Sequence, residues 1–231
     1  MQLGDSDGTT ALTFLADNAH LAFGTKDGRI CLWNAASGMR VLNPQDHVEW
    51  IISLSASPRK PLLASASGVG TVRIWDTSSG VCLFTHNVDA VSLAFFPDGD
   101  RLAIGCKDGW LRLWYSSTNK IQPHKLRGVH HPRLAVSNDG KFLAAASFGQ
   151  SDVVIFNTAD FRNPVTELDV GESIGRISFS PDNSQLLIAD SYFVRLWEIG
   201  SGKCRAFEHE NVRNAAFSPD GTRIVSGTEH R

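Results

Sequence analysis

The chain has 231 residues and a formal charge of −2, with 22 basic and 24 acidic residues spread along its length, so it carries no basic stripe of the kind that reads nucleic acid. Its 42 % apolar content can fill a substantial core, yet no apolar run approaches the roughly 18 residues of a membrane span. The N-terminus lacks the positively charged start and apolar stretch of a secretory signal, and no Asn-x-Ser/Thr acceptor occurs.

From the N-terminus, Met1 to Asp5 fits the end of an outer strand, and Asp5-Ser6-Asp7-Gly8 opens like a calcium loop. Its glycine comes two positions early and its twelfth position would be Ala16, so a turn with acidic capping groups is the plainer reading. Trp33 is the first of five landmarks. Trp75, Trp114, Phe156 and Trp197 follow at separations of 42, 39, 42 and 41 residues, each closing a short run of alternating apolar residues. A period of about 40 residues marks an array of repeated sheets.

Residues 50–86 show the unit best. Strands are expected at Trp50–Leu54, Leu62–Ala66, Thr71–Trp75 and Val81–Phe84, separated by Ser57-Pro58-Arg59-Lys60, Gly68-Val69-Gly70 and Asp76 to Gly80. Alternation with turn signals every 8 to 12 residues or so predicts an all-β chain, and no segment sustains a helical period. The first turn recurs as Phe96-Pro97-Asp98-Gly99, Ser180-Pro181-Asp182-Asn183 and Ser218-Pro219-Asp220-Gly221, in which proline presets φ and Asp with Gly or Asn completes the turn. Ser137-Asn138-Asp139-Gly140 keeps this pattern without proline, and Leu15-Ala16-Asp17-Asn18 keeps its end. The boundaries read as repeats of about 8–47, 48–86, 87–130, 131–171 and 172–209, with a partial sixth over 210–231, all in one domain.

Four cysteines, Cys31, Cys82, Cys106 and Cys204, fall inside expected strands without Cys-x-x-Cys spacing, so they read as small buried apolar groups. This predicts a reduced intracellular protein, cytoplasmic with the nucleus as the alternative, without zinc or any other cofactor. Just before the first strand of repeats two, three and six stand His47, His86 and His209. Three histidines at one repeat position are better explained by structure than by catalysis. The turn before the third strand carries Lys26-Asp27-Gly28 and Lys107-Asp108-Gly109, six residues before Trp33 and Trp114.

These features resemble the WD-repeat β-propeller family, over nearly the whole chain. The resemblance implies a propeller of four-stranded antiparallel blades. It also implies a hydrogen-bonded network in each blade between a His before strand one, a Ser/Thr in strand two, an Asp in the next turn and the Trp ending strand three. Repeat two supplies His47, Ser65 and Trp75 but has Val69 in the Asp position. Repeat three supplies His86, Asp108 and Trp114 but has Ile104 in the Ser position, and repeat one supplies Asp27 and Trp33. Repeat four, with His131 displaced, Gln150 in the Asp position and Phe156 for Trp, is the expected least regular blade. Val212 to Phe217 and Thr222 to Ser226 give two strands of a sixth repeat, so the reading is an incomplete or open ring whose array continues outside this chain.

No nucleophile elbow, zinc-binding helix or phosphate-cradling loop is present. The residues expected at the mouth of the array are Gly8, Trp50, Asp89, His130, Ser173 and Asn211, with one carboxylate and one imidazole among them. That set suits recognition better than hydrolysis. Trp50 is the expected aromatic anchor for a protein or peptide partner, with rim packing as its alternative role. Glu49, Lys26, Lys107, Asp89 and His130 share its face, and their mixed charge favours selective protein contacts over nucleic acid or membrane. Arg73, Arg112 and Arg195 are expected to brace strands, and Trp110 to pack between blades. The predicted function is a non-catalytic scaffold or adaptor. The alternatives are a propeller hydrolase with a site in the central channel and the sensor array of a larger NTPase receptor.

Overall fold

The computed structural model describes residues 8–42, 47–126, 128–147, 150–170, 174–209 and 212–228, and every regular element among them is a β-strand. The chain divides into two compact units, Met1–Pro123 and His124–Arg231. In unit one, blade one comprises β1 (Thr9–Phe14), β2 (His20–Thr25), β3 (Ile30–Asn34) and β4 (Arg40–Leu42). Blade two comprises β5 (Ile51–Ala56), β6 (Leu62–Ser67), β7 (Thr71–Asp76) and β8 (Cys82–Asn87). Blade three comprises β9 (Ala90–Phe95), β10 (Arg101–Cys106), β11 (Trp110–Tyr115) and β12 (Lys120–Lys125), the last running across the unit boundary.

Unit two holds blade four, of β13 (Pro132–Val136), β14 (Phe142–Ser147), β15 (Asp152–Asn157) and β16 (Asp160–Asp169). Blade five follows as β17 (Ile174–Phe179), β18 (Gln185–Asp190), β19 (Phe193–Glu198) and β20 (Cys204–Glu208). A two-stranded sheet of β21 (Val212–Phe217) and β22 (Ile224–Thr228) comes last. Blade four holds the longest strand, β16, whose pairing with β15 shifts register on both sides of Phe156.

Within each unit, neighbouring blades pack face to face, and this explains the composition of their strands. Every residue of β6 is buried, because the sheet is covered on both sides and the usual polar alternation is lost. Between blades two and three, Ala64, Ala66, Val72 and Ile74 meet Leu93, Phe95, Leu102 and Trp114. Small alternate residues on the second strand leave room for the aromatic ring that closes the following blade. The same arrangement joins Ala22, Ile30 and Leu32 to Leu54, Leu63 and Trp75, and in unit two Ala144, Ala146, Val153 and Ile155 to Ile177, Phe179 and Trp197.

Polar groups stitch the innermost strands as well. Ser53 and Ser55 of β5 accept hydrogen bonds from Leu93 N at 3.2 Å and Phe95 N at 3.0 Å. Those donors belong to β9, the edge strand of its sheet, so the serines cover an edge that would otherwise be open to pairing. In unit two the corresponding Ser178 hydroxyl of β17 is buried without a hydrogen-bond partner among the described residues. On β1, Leu12 and Phe14 are 55 % and 57 % exposed, whereas Leu54 of β5 and Phe95 of β9, which stand at matching positions and face the preceding blade, are each 9 % exposed.

The first-turn motif works as its sequence predicts. Asp98 Oδ1 accepts from Asp100 N and Arg101 N, and Ser180 and Ser218 donate to Asp182 and Asp220 within their turns. These hydroxyl bonds, with backbone N–H donors, hold the Asp182 and Asp220 carboxyls down to about 2. Asn183, Gly99 and Gly221 take positive φ, as a turn ending in Asn or Gly requires.

Two cysteines depart from expectation. Cys31 and Cys106 are buried, but Cys82 and Cys204 are exposed, because they begin β8 and β20, the outermost strands of their blades. Burial pushes the Cys106 thiol up to about 11, which makes it an inert core group.

Candidate functional site

The polar network is complete in blade two. His47 Nε2 and Ser65 Oγ are 2.6 Å apart, and Trp75 Nε1 donates to the same Ser65 oxygen at 2.8 Å. The other ring nitrogen, His47 Nδ1, lies 3.0 Å from Thr71 Oγ1. Thr71, the first residue of β7, therefore takes the place that sequence reasoning left open at Val69. Burial, with a further contribution from the Arg73 charge, pushes the His47 pKa down to about 4, so the imidazole is neutral in the fold.

Other blades reach different solutions. In blade one Asp27 accepts a hydrogen bond from Thr25 Oγ1 and pairs with Arg29, while Trp33 Nε1 is buried without a hydrogen-bond partner among the described residues. Phe23 occupies the position of Ser65 and packs edge-on against Trp33. In blade three Asp108 turns to Arg112, with contacts of 3.2 and 2.9 Å, and Trp114 Nε1 likewise has no partner among the described residues beside Ile104. His86 lies within β8, stacked on Phe84, and its pKa is lowered by burial and then by Arg112. In unit two His209 Nδ1 lies 3.0 Å from Ser226 Oγ, which repeats the His47–Ser65 pairing. Phe156 is buried and Trp197 partly buried.

The strand connections place Lys26, Asp27, Glu49, Trp50, Asp89, Lys107 and Asp108 at one end of the three sheets of unit one. A local rule links them in pairs. The residue preceding each first strand accepts a backbone hydrogen bond from the turn after the second strand: Lys26 N to Gly8 O, Gly68 N to Trp50 O and Lys107 N to Asp89 O, at 3.2, 3.0 and 2.9 Å. Their side chains are complementary in size or charge. In blade one the Lys26 stem packs over Gly8; in blade three Lys107 Nζ stands 4.0 Å from Asp89 Oδ1.

Blade two inverts the pattern, since its turn has no side chain at Gly68 and the indole of Trp50 occupies that space. A Cβ added at Gly68 would lie 1.6 Å from Trp50 Nε1, so only glycine permits this approach. Next to it Gly28 abuts the carbonyls of His47 and Glu49, where an added Cβ would come within 2.4 and 2.8 Å.

The outcome is an apolar centre in a charged surround. Trp50 is 50 % exposed, with Val48 at 85 % and Val69 at 50 %. The Trp50 indole N–H donates to no group among the described residues. Sequence reasoning singled out Trp50 but missed both valines. Their signal was the Gly-Val-Gly turn standing where the neighbouring repeats have Lys-Asp-Gly. Glu49 and Lys26 make no ion pair among the described residues, while Asp27 and Asp108 are neutralised by Arg29 and Arg112.

The remaining predicted mouth residues belong to unit two. His130 is exposed before β13, and its backbone N–H donates to Ser147 Oγ at 3.2 Å; Ser173 and Asn211 lie outside the described residues. The bracing arginines behave as their positions imply. Arg112 binds Asp108, Arg195 binds Asp190 at 2.7 Å, and Arg73 lies 5.7 Å from the Trp75 ring centroid. Asp190, which sequence reasoning missed, is fully buried and also accepts from Tyr192 N and Phe193 N, fixing the turn into β19.

Comparison with known proteins agrees with this geometry. The chain is 28 % identical to Periodic tryptophan protein 2 of Arabidopsis thaliana over 90 % of its own length and 24 % of that protein. It is 30 % identical to Coronin-7 of Bos taurus over 93 % of its length, and thus spans about a quarter of each of these relatives. Among solved structures, a chain in the "Crystal Structure of Mitotic Checkpoint Complex" shares the fold with a TM-score of 0.84 at 18 % identity, covering 98 % of this chain and 73 % of that one. The sequence model of the "WD domain, G-beta repeat" matches residues 2–34, 39–76, 80–115 and 202–231, more than half of the chain. With blades of the expected topology, the His–Ser–Trp network of blade two and this match, the chain belongs to the WD domain, G-beta repeat family and folds as a β-propeller of four-stranded antiparallel blades.

Proposed function

We propose that this chain is a non-catalytic interaction scaffold that binds a protein or peptide partner through the end of unit one centred on Trp50. The observation that carries this reading is the half-exposed indole, laid on Gly68, donating to no group among the described residues and flanked by Val48 and Val69. An amphipathic ring held against backbone loses little conformational freedom on binding, and can give both apolar area and a hydrogen bond. Lys26, Glu49, Asp89 and Lys107 form the mixed-charge rim, which selects partners more than it adds affinity. His130 in unit two is a separate candidate contact. A reducing compartment, cytoplasm or nucleus, fits Cys82, Cys106 and Cys204, which form no disulfide among the described residues.

Affinity capture with the intact chain tests the reading. Trp50→Ala is expected to remove the partners bound by the wild type while leaving the melting temperature unchanged. An identical set of partners for both proteins would overturn it.

A further inference from the structure

At the opposite end of the sheets of unit one, blades one and two enclose a cleft of about 590 Å³. Its floor is apolar, from Leu15 and Leu32, and its lips carry Asp17 with His20 on one side and Thr77 with Ser78 on the other. Thr77 N donates to Pro61 O at 2.8 Å and Asp17 Oδ1 accepts from Ala19 N and His20 N, so both lips are preformed.

The next junction shows why this cleft is open. Between blades two and three, Lys60 reaches across the gap; its Nζ bonds the Asp100 carboxylate and Ser116 Oγ, the latter at 2.9 Å. Arg59 crosses beside it, with Nε donating to Pro97 O at 2.8 Å. Both cationic heads are thereby turned toward blade three, although these residues also line the cleft. In blade one the turn positions of Arg59 and Lys60 are Asp17 and Asn18. Asp17 folds back on its own His20, 2.6 Å from the ring Nδ1, and Asn18 is too short to cross. Blade one therefore sends no lysine over to blade two. Yet blade two still presents Thr77, its counterpart of Ser116, whose hydroxyl makes no hydrogen bond among the described residues.

We infer that the cleft receives a lysine or arginine side chain of a partner protein, which does at this junction what Lys60 does at the next. The aliphatic stem would lie on Leu15 and Leu32, and the cationic head would bond Asp17 and the Thr77 hydroxyl, a division that suits a long basic side chain. Asp17 is half exposed and its carboxyl is held below the usual range, first by the His20 hydrogen bond, so it is anionic at neutral pH. This site is independent of Trp50 and would make the scaffold bivalent.

The test is an amide NMR titration of the intact chain with three probes: Nα-acetyl-lysine N-methylamide, its norleucine analogue and its glutamate analogue. The lysine probe is expected to shift the Ala19, His20, Thr77 and Ser78 amides saturably, and more strongly than either analogue. Asp17→Asn, which keeps the turn acceptor, is expected to weaken it about threefold to fivefold, whereas Trp50→Ala leaves it unchanged. Equal binding of the norleucine probe, insensitivity to Asp17→Asn, or the absence of shifts at these amides would overturn the inference. None of these outcomes bears on the partner set lost with Trp50.

Discussion

Ser65 is the residue on which blade two turns, because one hydroxyl serves both His47 and Trp75. Replacing it with Ala leaves a buried imidazole nitrogen and a buried indole N–H unmatched, so Ser65→Ala is expected to cost about 1–3 kcal/mol in urea unfolding. In blades one and three the Trp33 and Trp114 indoles have no partner among the described residues, and neither blade has a hydroxyl at this position to lose. His47 adds a pH dependence. Its native pKa of about 4 lies below the ordinary value of 6.5, so between those limits the unfolded chain takes up a proton that the native one refuses. Stability is full above pH 6.5, falls as the pH drops toward 4, and is unchanged by this group below that. His86 and His124 are shifted in the same direction by burial, so they add to the trend. Unfolding free energies measured from pH 7 to 4.5 are expected to fall for the wild type and to fall less for His47→Gln; equal slopes would refute the assignment.

Within unit one, blades two and three are held by packing on the preceding sheet, and this separates two tryptophans that look alike in sequence. Trp75 is fully buried against blade one, so Trp75→Ala is expected to destabilise by about 3–5 kcal/mol, whereas Trp50→Ala, at a half-exposed ring, leaves thermal stability close to the wild type. Equal shifts in melting temperature would remove the distinction. The strands, their turns and the closing aromatics were legible in sequence because each is a local signal repeated five times. The expected strand at Thr71–Trp75 is found one residue longer, as β7. The part of Thr71 in the network was not legible, since it depends on where the His47 ring points and not on spacing. Nor was the Val48–Trp50–Val69 cluster, which arises where the chain of one turn crosses beside the start of another strand. Exposure of Cys82 and Cys204 was missed for a related reason: a strand's rank in its sheet, inner or outer, decides whether its alternate residues meet solvent.

For the molecule as a whole, the same packing rule predicts how the 231-residue chain behaves in solution. Blades two and three bury Leu54 and Phe95 on the preceding sheet, while Leu12 and Phe14 at matching positions of β1 stay more than half exposed on one face. These two side chains stand on the edge strand of blade one, which pairs with no second strand among the described residues, and an apolar edge strand of this kind promotes association of sheets. Because the register of β1 is set by its pairing with β2, through Leu12 with Phe23 and Phe14 with Leu21, polar replacements on the open face leave that pairing intact. Sedimentation velocity over a range of concentrations is therefore expected to show reversible self-association of the wild-type chain. The double substitution Leu12→Asn and Phe14→Asn is expected to reduce it, with a change in unfolding free energy within about 1 kcal/mol, as exposed positions allow. A wild-type chain that stays monomeric at all concentrations would mean that this face is already covered in solution, and loss of folding in the double variant would mean that the two residues are core rather than surface.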